Sequence, residues 1–373
     1  MWVIHRSAAF TAPSAPRGPG LFTTDELAER RAYFADHAEL VATPLRSASA
    51  LAAACGVGRL WLKDETDRFG LPAFKGLGAG YAVARLVAEG RIAKGATLVC
   101  ASEGNHGRAV ARAARVHGLA CRVYVAAAVA EARAAAIAAE GAEIVRVAGT
   151  YDDAVRRAAA DAEREGWQVV SDTAWPGYEE IPRLIMLGYT QLMDECAAAW
   201  GDAAPDLVLV QAGVGGLAAA VGSWYAVRPA REQRTRLLCV EPLSAACLLE
   251  SARAGRPVTI AGNLDTVMGG LRCGEVSLSA FPAVRDTFDA YVAIDDEWAR
   301  EAMRRLARPA GDDPRIACGP SGAAGVAALL ALQADPALTP VREALGISRA
   351  STVMAIVTEG VTEPELFAEV VRA

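Results

Sequence analysis

Residues 97–125 read TLVCASEGNHGRAVARAARVHGLACRVYV, and this stretch decides the fold. An apolar run at 97–100 is followed by a polar loop, by an alanine-rich helical pattern at 107–117 and by a second apolar run at 121–125. A strand, a helix and a second strand in this order form the repeating unit of a parallel sheet covered by helices.

The same alternation continues on both sides of this unit. Further strands are predicted at residues 143–147, 167–171, 207–211, 237–241 and 351–357, and helices at 131–140, 151–165, 216–227, 298–307 and 321–333. The run DLVLVQ at 206–211 lacks polar alternation, which is typical of strands buried on both faces. We therefore predict an α/β fold with two lobes of open, mostly parallel sheets covered by helices.

The chain has 373 residues, whereas single cores stop growing at about 250–300 residues. We expect a small lobe over residues 90–188 and a large lobe formed by residues 1–89 and 189–373. A ligand would lie in the cleft between them, because open α/β sheets bind ligands outside the carboxyl ends of their strands. Residues 1–20, rich in Ala, Pro and Gly, are expected to form a loose arm.

Composition argues against several functional classes. The net charge of −6 disfavours nucleic acid as a partner, because phosphate binding needs a basic face. No apolar run reaches the roughly 20 residues that span a bilayer, and the first 20 residues lack the pattern of a secretion signal. The eight cysteines match no zinc, redox or disulfide spacing. We expect no membrane partner, no metal site, reduced cysteines and a cytoplasmic location.

Lys75 stands in the first of four loops with candidate functional groups. The stretch FGLPAFKG at 69–76 places it at the start of a helical pattern. That end of a helix disfavours a cation, so the amine should lose its proton more easily, and a Schiff base needs a neutral amine. Taken alone, the motif favours an ordinary solvated lysine.

The second and third loops are rich in glycine. SEGNHG at 102–107 places Asn105 where it can donate to a ring oxygen, and His106 is either a base or a capping or packed residue. QAGVGGL at 211–217 opens a helix, where backbone N–H groups suit a phosphate. It lacks the third glycine of a dinucleotide fingerprint and the Gly-Lys-Ser/Thr of a P-loop, and a tight structural turn explains it equally well.

Asp172 lies in the fourth loop, SDTAWPGY at 171–178, after a predicted strand. Its aromatic neighbours should raise the pKa of the carboxyl group towards the range of a general acid or base. The alternative is an Asx-turn that closes the loop. Together, the four loops contain the parts of a pyridoxal 5′-phosphate (PLP) site: a lysine, an Asn/Gly loop, a phosphate-binding turn and a carboxylate.

At these residues the chain resembles the fold-type II PLP enzymes, the tryptophan synthase β-like group, and within them the diaminopropionate ammonia-lyases. The resemblance covers most of the chain, from about Leu62 to Gly360. The motifs that carry it are LKDETDRFGLPAFKGLG, ASEGNHGRAVA, VVSDTAWPGYEEIP, VQAGVGGLAAAV, VEP, MGGLRCGE, DDPRIACGPSGAAG and VTEG.

The resemblance implies a PLP cofactor in the cleft between the lobes. Lys75 would hold it as a Schiff base, and Lys75, Asp172 and Glu103 would be the catalytic residues. Thr358 would face the pyridine nitrogen, where a neutral hydroxyl leaves that nitrogen unprotonated. Asn105 would bond the pyridoxal hydroxyl oxygen. The resemblance gives as cofactor-binding residues Phe74, Lys75, Asn105, Gly213, Val214, Gly215, Gly216, Leu217 and Thr358.

Two positions depart from the ammonia-lyase pattern. Glu103 stands where those enzymes carry Asp, and the extra methylene moves the carboxylate by roughly one ångström, which leaves activity on a D-enantiomer open. The stretch CGPSG at 318–322 stands where they have Gly-Glu-Ser-Gly, so an acidic group near the ring is expected to be lost.

The activity implied is β-elimination that converts 2,3-diaminopropionate, a small amino acid, to pyruvate and ammonia, in a homodimer. One alternative keeps the chemistry but changes the substrate: a serine or threonine dehydratase, or a biosynthetic lyase acting on another β-substituted amino acid. Another is a nucleotide-binding protein without PLP, which would explain the GVGG turn but not Lys75.

Overall fold

The structure is a computed structural model that describes residues 1–4, 17–228 and 234–372. Strands in this part of the chain form two sheets, one of seven strands and one of four. They are β1 (Trp2–Ile4), β2 (Leu45–Ser47), β3 (Arg59–Asp64), β4 (Thr97–Ala101), β5 (Ala120–Ala126), β6 (Glu143–Val147), β7 (Gln168–Val169), β8 (Leu207–Gln211), β9 (Arg236–Pro242), β10 (Ala290–Ile294) and β11 (Thr352–Val357).

The larger sheet has the strand order β1-β10-β9-β8-β11-β3-β2. Its outermost pairs, β1 with β10 and β2 with β3, are antiparallel, and the four inner pairs are parallel. The smaller sheet, in the order β6-β5-β4-β7, is parallel throughout. The predicted fold class, open and mostly parallel sheets, is confirmed. The predicted lobe boundaries at 89/90 and 188/189 stay predictions.

Helices cover both sheets. They are α1 (Thr24–Asp36), α2 (Ser49–Ala54), α3 (Lys75–Ala88), α4 (Asn105–Val116), α5 (Glu131–Ala138), α6 (Tyr151–Glu165), α7 (Glu180–Tyr189), α8 (Gln191–Trp200), α9 (Gly216–Ala226), α10 (Cys247–Ala254), α11 (Ala280–Thr287), α12 (Asp296–Ala307), α13 (Pro320–Ala334), α14 (Thr339–Ala344) and α15 (Pro364–Arg372).

Burial explains why the strand runs lack alternation. All five residues of β8 are buried. Leu207 and Leu209 enter one apolar cluster of the core, and Val208 and Val210 enter another, so the strand is covered on both faces.

Within the described ranges no single helix is long and apolar enough to cross a membrane. One bent pair, α13 with residues 336–344, passes that test only when its two helices are taken together.

Two expectations from the sequence are corrected by the fold. Residues 1–4 are not a loose arm, because Trp2 pairs with Val292 and its indole N–H donates to Ala337 O at 3.0 Å; residues 5–16 lie outside the described part of the chain. The strands β1, β2, β3 and β10 were not predicted, and the β3 sequence RLWLKD ends in two charged residues. Both are buried, and Lys63 Nζ lies 2.5 Å from Glu195 Oε2.

Candidate active site

The predicted site residues lie where parallel strands of both sheets end. Lys75 begins α3, Asn105 begins α4 directly after β4, and Asp172 follows β7. The glycine loop at 213–216 joins β8 to α9, and Thr358 follows β11. The structure brings Lys75 to Asp172, with 2.6 Å between Nζ and Oδ2. This edge is where open α/β sheets place their ligands.

The ion pair of Lys75 and Asp172 corrects both pKa predictions. Burial alone would lower the pKa of Lys75, but the charges of Asp172 and Tyr189 and the hydrogen bond to Asp172 raise it well above its usual range. Burial alone would raise the pKa of Asp172, but His106 and Lys75 hold it well below its usual range. A partner charge at 2.6 Å therefore outweighs both the helix N-terminus and the apolar surroundings.

Two buried polar atoms near Lys75 lack a hydrogen-bond partner among the described residues. They are the Tyr189 hydroxyl and His106 Nδ1, and the latter lies 3.7 Å from Asp172 Oδ2. His106 Nε2 lies 2.9 Å from Val170 O, to which it can only donate, so the ring is held in place. Burial lowers the pKa of His106, while Asp172 and Lys75 act on it in opposite directions. His106 is therefore a packed residue beside the acid.

The DTAWPGY motif holds Asp172 in place. Ser171 N donates to the Tyr178 hydroxyl at 2.8 Å, and that hydroxyl donates to Val169 O at 3.0 Å. The rings of Trp175 and Tyr178 stack with centroids 4.2 Å apart. The aromatic residues therefore fold the loop on itself and fix the point at which the carboxylate leaves β7.

Buried charges in the LKDETDRFG motif support the segment that leads to Lys75. Arg68 Nη2 lies 2.5 Å from Glu65 Oε1 and 2.7 Å from Glu195 Oε2, and Lys63 completes the cluster. All four side chains are at most 6% exposed, with two positive and two negative charges. This motif, quoted for its resemblance, is a structural element of the site rather than a group that meets a ligand.

Thr358 is tied to the same segment and to Gln211. Phe74 N donates to Thr358 O at 3.2 Å, and Gly360 N donates to Pro72 O at 2.8 Å. Gln211 Nε2 lies 2.9 Å from Thr358 Oγ1 and 2.9 Å from Ile356 O. Because the amide donates to the hydroxyl oxygen, the Thr358 hydroxyl acts as a donor, and its acceptor here is Ser321 O at 3.4 Å. Sequence reasoning assigned Gln211 no role.

Glu359, in the VTEG motif, is a buried acid that lies against the CGPSG stretch, and the expected loss of an acidic group at residues 318–322 stays a prediction. Its carboxylate accepts from Asn105 Nδ2 at 2.8 Å, and a methyl group built on Gly319 would lie 2.7 Å from its Oε1. The acid is therefore present against this stretch, but it comes from the segment after β11. A charged residue two positions after the predicted strand 351–357 was the signal in the sequence that could have identified it.

The glycine loop has the backbone of an anion site. Gly215 adopts φ 99°, which favours glycine, and no side chain caps the helix that begins at Gly216. The first N–H groups of such a helix have no partner within it and carry partial positive charge. A methyl group built on Gly213 would lie 2.9 Å from Cys273 Sγ, so this glycine permits close packing of the neighbouring loop.

The model of a sequence family described as "Pyridoxal-phosphate dependent enzyme" matches residues 39–347.

The chain belongs to this family.

Individual relatives of this PLP-dependent enzyme are more specific. The diaminopropionate ammonia-lyase of Escherichia coli (strain K12) is 37% identical over 346 residues, which cover 88% of this chain and 87% of the relative. A crystal structure of the E. coli enzyme in complex with an aminoacrylate-PLP azomethine reaction intermediate covers 100% of this chain and 96% of its own, with a TM-score of 0.89 and 34% identity. Its complex with D-serine gives a TM-score of 0.87 at 33% identity.

The described residues fit the cofactor. Lys63, Lys75 and Lys94 are the only lysines in the sequence. Lys63 is buried in the ion cluster and Lys94 is on the surface, so Lys75 is the lysine left for a buried site. The unpartnered Tyr189 hydroxyl and His106 Nδ1 beside it are polar atoms that a bound polar ligand can satisfy. The enzyme therefore has an amine, an anion-binding turn and a buried hydroxyl at one edge of its sheets.

Proposed function

We propose that this PLP-dependent enzyme is a diaminopropionate ammonia-lyase. It converts 2,3-diaminopropionate and one water to pyruvate and two molecules of ammonia. The observation that carries the proposal is the buried pair of Lys75 and Asp172, with 2.6 Å between Nζ and Oδ2, in a chain that is 37% identical to the E. coli ammonia-lyase over 88% of its length.

The proposed cofactor contacts follow from the placement of each group. Lys75 would bind the aldehyde carbon of PLP, and Phe74, whose ring centroid lies 5.2 Å from Nζ, would border it. Asn105 would donate to the phenolic oxygen and Thr358 to the pyridine nitrogen. The turn before α9 would hold the phosphate through the N–H groups of Gly213, Val214, Gly215, Gly216 and Leu217.

Asp172 is the proposed proton carrier of the reaction. When bound, the cofactor withdraws electrons from the α-carbon of the substrate, which makes its α-proton removable. Lys75 Nζ and Asp172 Oδ2 are close enough to pass one proton between them. With Lys75 holding the cofactor, the Asp172 carboxylate would be available to hold a proton or the cationic group of a substrate.

A charged β-amino group is the leaving group that suits this arrangement. Asp172 would pair with the protonated β-nitrogen and keep it in the form that departs as ammonia. A β-hydroxyl group carries no charge and would leave Asp172 buried without a partner, which is costly. This argument favours diaminopropionate over serine or threonine.

Glu103 is the proposed second carboxylate, and its role stays a prediction. It is half-buried in the SEGNHG loop and makes no hydrogen bond or ion pair within the described ranges. Tyr151, which begins α6, places its hydroxyl 3.4 Å from Ala101 O, at the base of this loop. Assays with the D- and L-enantiomers of diaminopropionate will determine whether a glutamate at this position serves one face of the substrate or both.

The test uses the small number of lysines. Purified protein should show the visible absorption of a PLP imine, and borohydride reduction followed by peptide mapping should place the label on Lys75. Lys75→Ala should be colourless and inactive, whereas the surface variant Lys94→Ala should match the wild type. A panel of diaminopropionate, serine and threonine, scored for pyruvate or 2-oxobutyrate, identifies the substrate. Faster turnover of serine or threonine would replace the ammonia-lyase with a dehydratase.

We also propose a homodimer and a cytoplasmic location. The dimer is supported by the resemblance to fold-type II enzymes. The location is supported by the eight free cysteines, seven of which are buried. Light scattering of the holoenzyme measures the oligomeric state, and cell fractionation measures the location.

A further inference from the structure

Glu359 is a buried acid that touches no group assigned to the reaction except Asn105. Glu359 is only 6% exposed, and its side chain lies between the first turn of α4 and the first turn of α13. A methyl group built on Gly319 would lie 2.7 Å from Glu359 Oε1, and one built on Gly270 would lie 3.6 Å from Glu359 Oε2. Glycines on two neighbouring segments thus make room for this carboxylate.

The backbone fixes Glu359 relative to the lysine segment. Glu359 forms a bridge with Ala73, two residues before Lys75, and Gly360 N donates to Pro72 O at 2.8 Å. Burial raises the pKa of Glu359, and the hydrogen bonds to Ser321 and Asn105 offset only part of that effect. Ser321 also accepts a hydrogen bond from Gly270 N at 3.0 Å. The acid is therefore held rigidly at the floor of the site.

The contact with Glu359 determines the orientation of the Asn105 side-chain amide. A side-chain amide has one oxygen and one NH₂ group of similar size, so it can sit in two orientations that differ by a half turn. Glu359 Oε2 lies 2.8 Å from Asn105 Nδ2, and a carboxylate accepts but does not donate when ionised. Turning the amide would place its oxygen against the carboxylate. One N–H is therefore used by Glu359, and the second N–H points elsewhere.

We propose that Glu359 is a positioning residue, which holds the Asn105 amide in the one orientation that presents its second N–H to the phenolic oxygen of the cofactor. The inference rests on the proposed cofactor contact of Asn105, and it does not depend on which amino acid is the substrate. It assigns a reason for a buried acid at this position and for the glycines that surround it.

The test compares two cofactors rather than two activities. The probes are PLP and 3-deoxypyridoxal phosphate, which lacks the ring hydroxyl, and each is titrated against apoprotein by absorbance. The measured quantity is the ratio of their dissociation constants. In Asn105→Ala we expect the preference for PLP to fall about tenfold, the effect of one hydrogen bond. In Glu359→Ala it should fall by a similar factor, and the double variant should show no further loss.

Two further variants control for folding and for the loss of a buried charge. Glu359→Gln keeps the volume of the side chain and allows Asn105 to turn, so the preference should fall, though by less than in Glu359→Ala. Asp161→Asn removes a buried carboxylate bonded to Tyr124 in the small sheet region and should leave the ratio unchanged. Circular dichroism confirms that each apoprotein is folded.

Each outcome decides the proposal. A ratio that is reduced in Glu359→Ala but not in Glu359→Gln also supports positioning. Because glutamine keeps one acceptor oxygen, that result would assign the positioning to the acceptor oxygen of residue 359. If both cofactors lose affinity equally in the Glu359 variants, the acid is structural and the proposal is overturned; independent, multiplicative losses in the double variant overturn it as well. If the wild type fails to release pyruvate from diaminopropionate while the ratios behave as expected, the proposed substrate fails but this inference stands.

Discussion

Lys75 Nζ lies 2.6 Å from Asp172 Oδ2, although the residues are 97 positions apart and Asp172 follows a strand of the smaller sheet. Both side chains are at least three-quarters buried, with exposed fractions of 24% and 20%. The pair holds the amine in its charged form, whereas capture of the cofactor aldehyde needs the neutral form. We therefore expect Asp172 to retard capture of the cofactor through the same contact that would let it exchange a proton with Lys75.

Asp172→Asn should separate these two effects. Without the carboxylate, burial acts alone and the pKa of Lys75 falls, because the charged amine loses its partner. The pH at which apoprotein captures PLP at half its maximal rate should move down, as measured by stopped-flow absorbance. Turnover of diaminopropionate should fall by about 10²–10⁴-fold. An unchanged capture midpoint would show that the ion pair does not control the amine in solution.

Arg68→Ala tests the buried charge cluster. The substitution leaves Glu65 and Glu195 facing Lys63 alone, and breaking such a buried pair typically costs about 3–5 kcal/mol. Urea unfolding measures the change. The control is Arg91→Ala, whose partner Glu180 is 62% exposed, and there we expect a loss below about 1 kcal/mol. Equal losses in the two variants would mean that the cluster adds no more than a surface pair.

The sequence predicted seven strands and missed β1, β2, β3 and β10, although β10 (AYVAI) is apolar throughout. Leu207–Gln211 was predicted at its observed bounds, while β3 was missed because Lys63 and Asp64 are polar yet buried. Lys75 could be selected because it stands at the start of a helical pattern, and Asp172 because it follows a predicted strand. The directions of their pKa shifts could not be predicted, because the pKa of each residue depends on the charge of the other.

Contacts between distant segments explain the rest of what the sequence did not predict. Asn105 and Glu359 are 254 positions apart, and Gln211 and Thr358 are 147 apart, so nothing local pairs them. The fold class is enough to place the ends of their strands at one edge. It does not specify which acid meets which amide, because that depends on side-chain orientation within the packed core.

Gln211→Leu tests the hydrogen bonds beneath Thr358. The variant removes the amide that donates to the buried Ile356 O and to the buried Thr358 hydroxyl, and leaving each acceptor without this donor costs about 1–3 kcal/mol. Thr358 then becomes free to turn away from the cofactor, so the visible spectrum of the holoenzyme should change as it does in Thr358→Val. The exposed variant Gln333→Leu should alter stability by no more than about 0.5 kcal/mol. A wild-type spectrum in Gln211→Leu would contradict the role given to this amide.

Glu241 gives the protein a stability that depends on pH. The residue is completely buried at the end of β9, and Leu248 N and Leu249 N at the start of α10 each donate to its carboxyl group at 2.8 Å. Burial raises the pKa of Glu241 from 4.5 to about 8, against the lowering effect of these hydrogen bonds. Between those two pH values the folded state binds more protons than the unfolded state, so raising the pH lowers the free energy of unfolding. The contribution is fully present below about pH 4.5 and is lost as the pH passes about 8.

Glu241→Gln replaces the carboxyl group, whose loss of a proton lowers the stability, with an amide that does not titrate. The amide can accept only one of the two backbone hydrogen bonds, so the variant should be less stable than the wild type at about pH 5, by about 1–3 kcal/mol. As the pH rises to about 9, the wild type should lose stability relative to the variant, and the gap between their unfolding free energies should shrink or reverse. Urea unfolding at a series of pH values measures that gap. A gap that is constant with pH, or one that widens as the pH rises, would show that the carboxyl group is ionised in the folded protein and that the two N–H donors outweigh its burial.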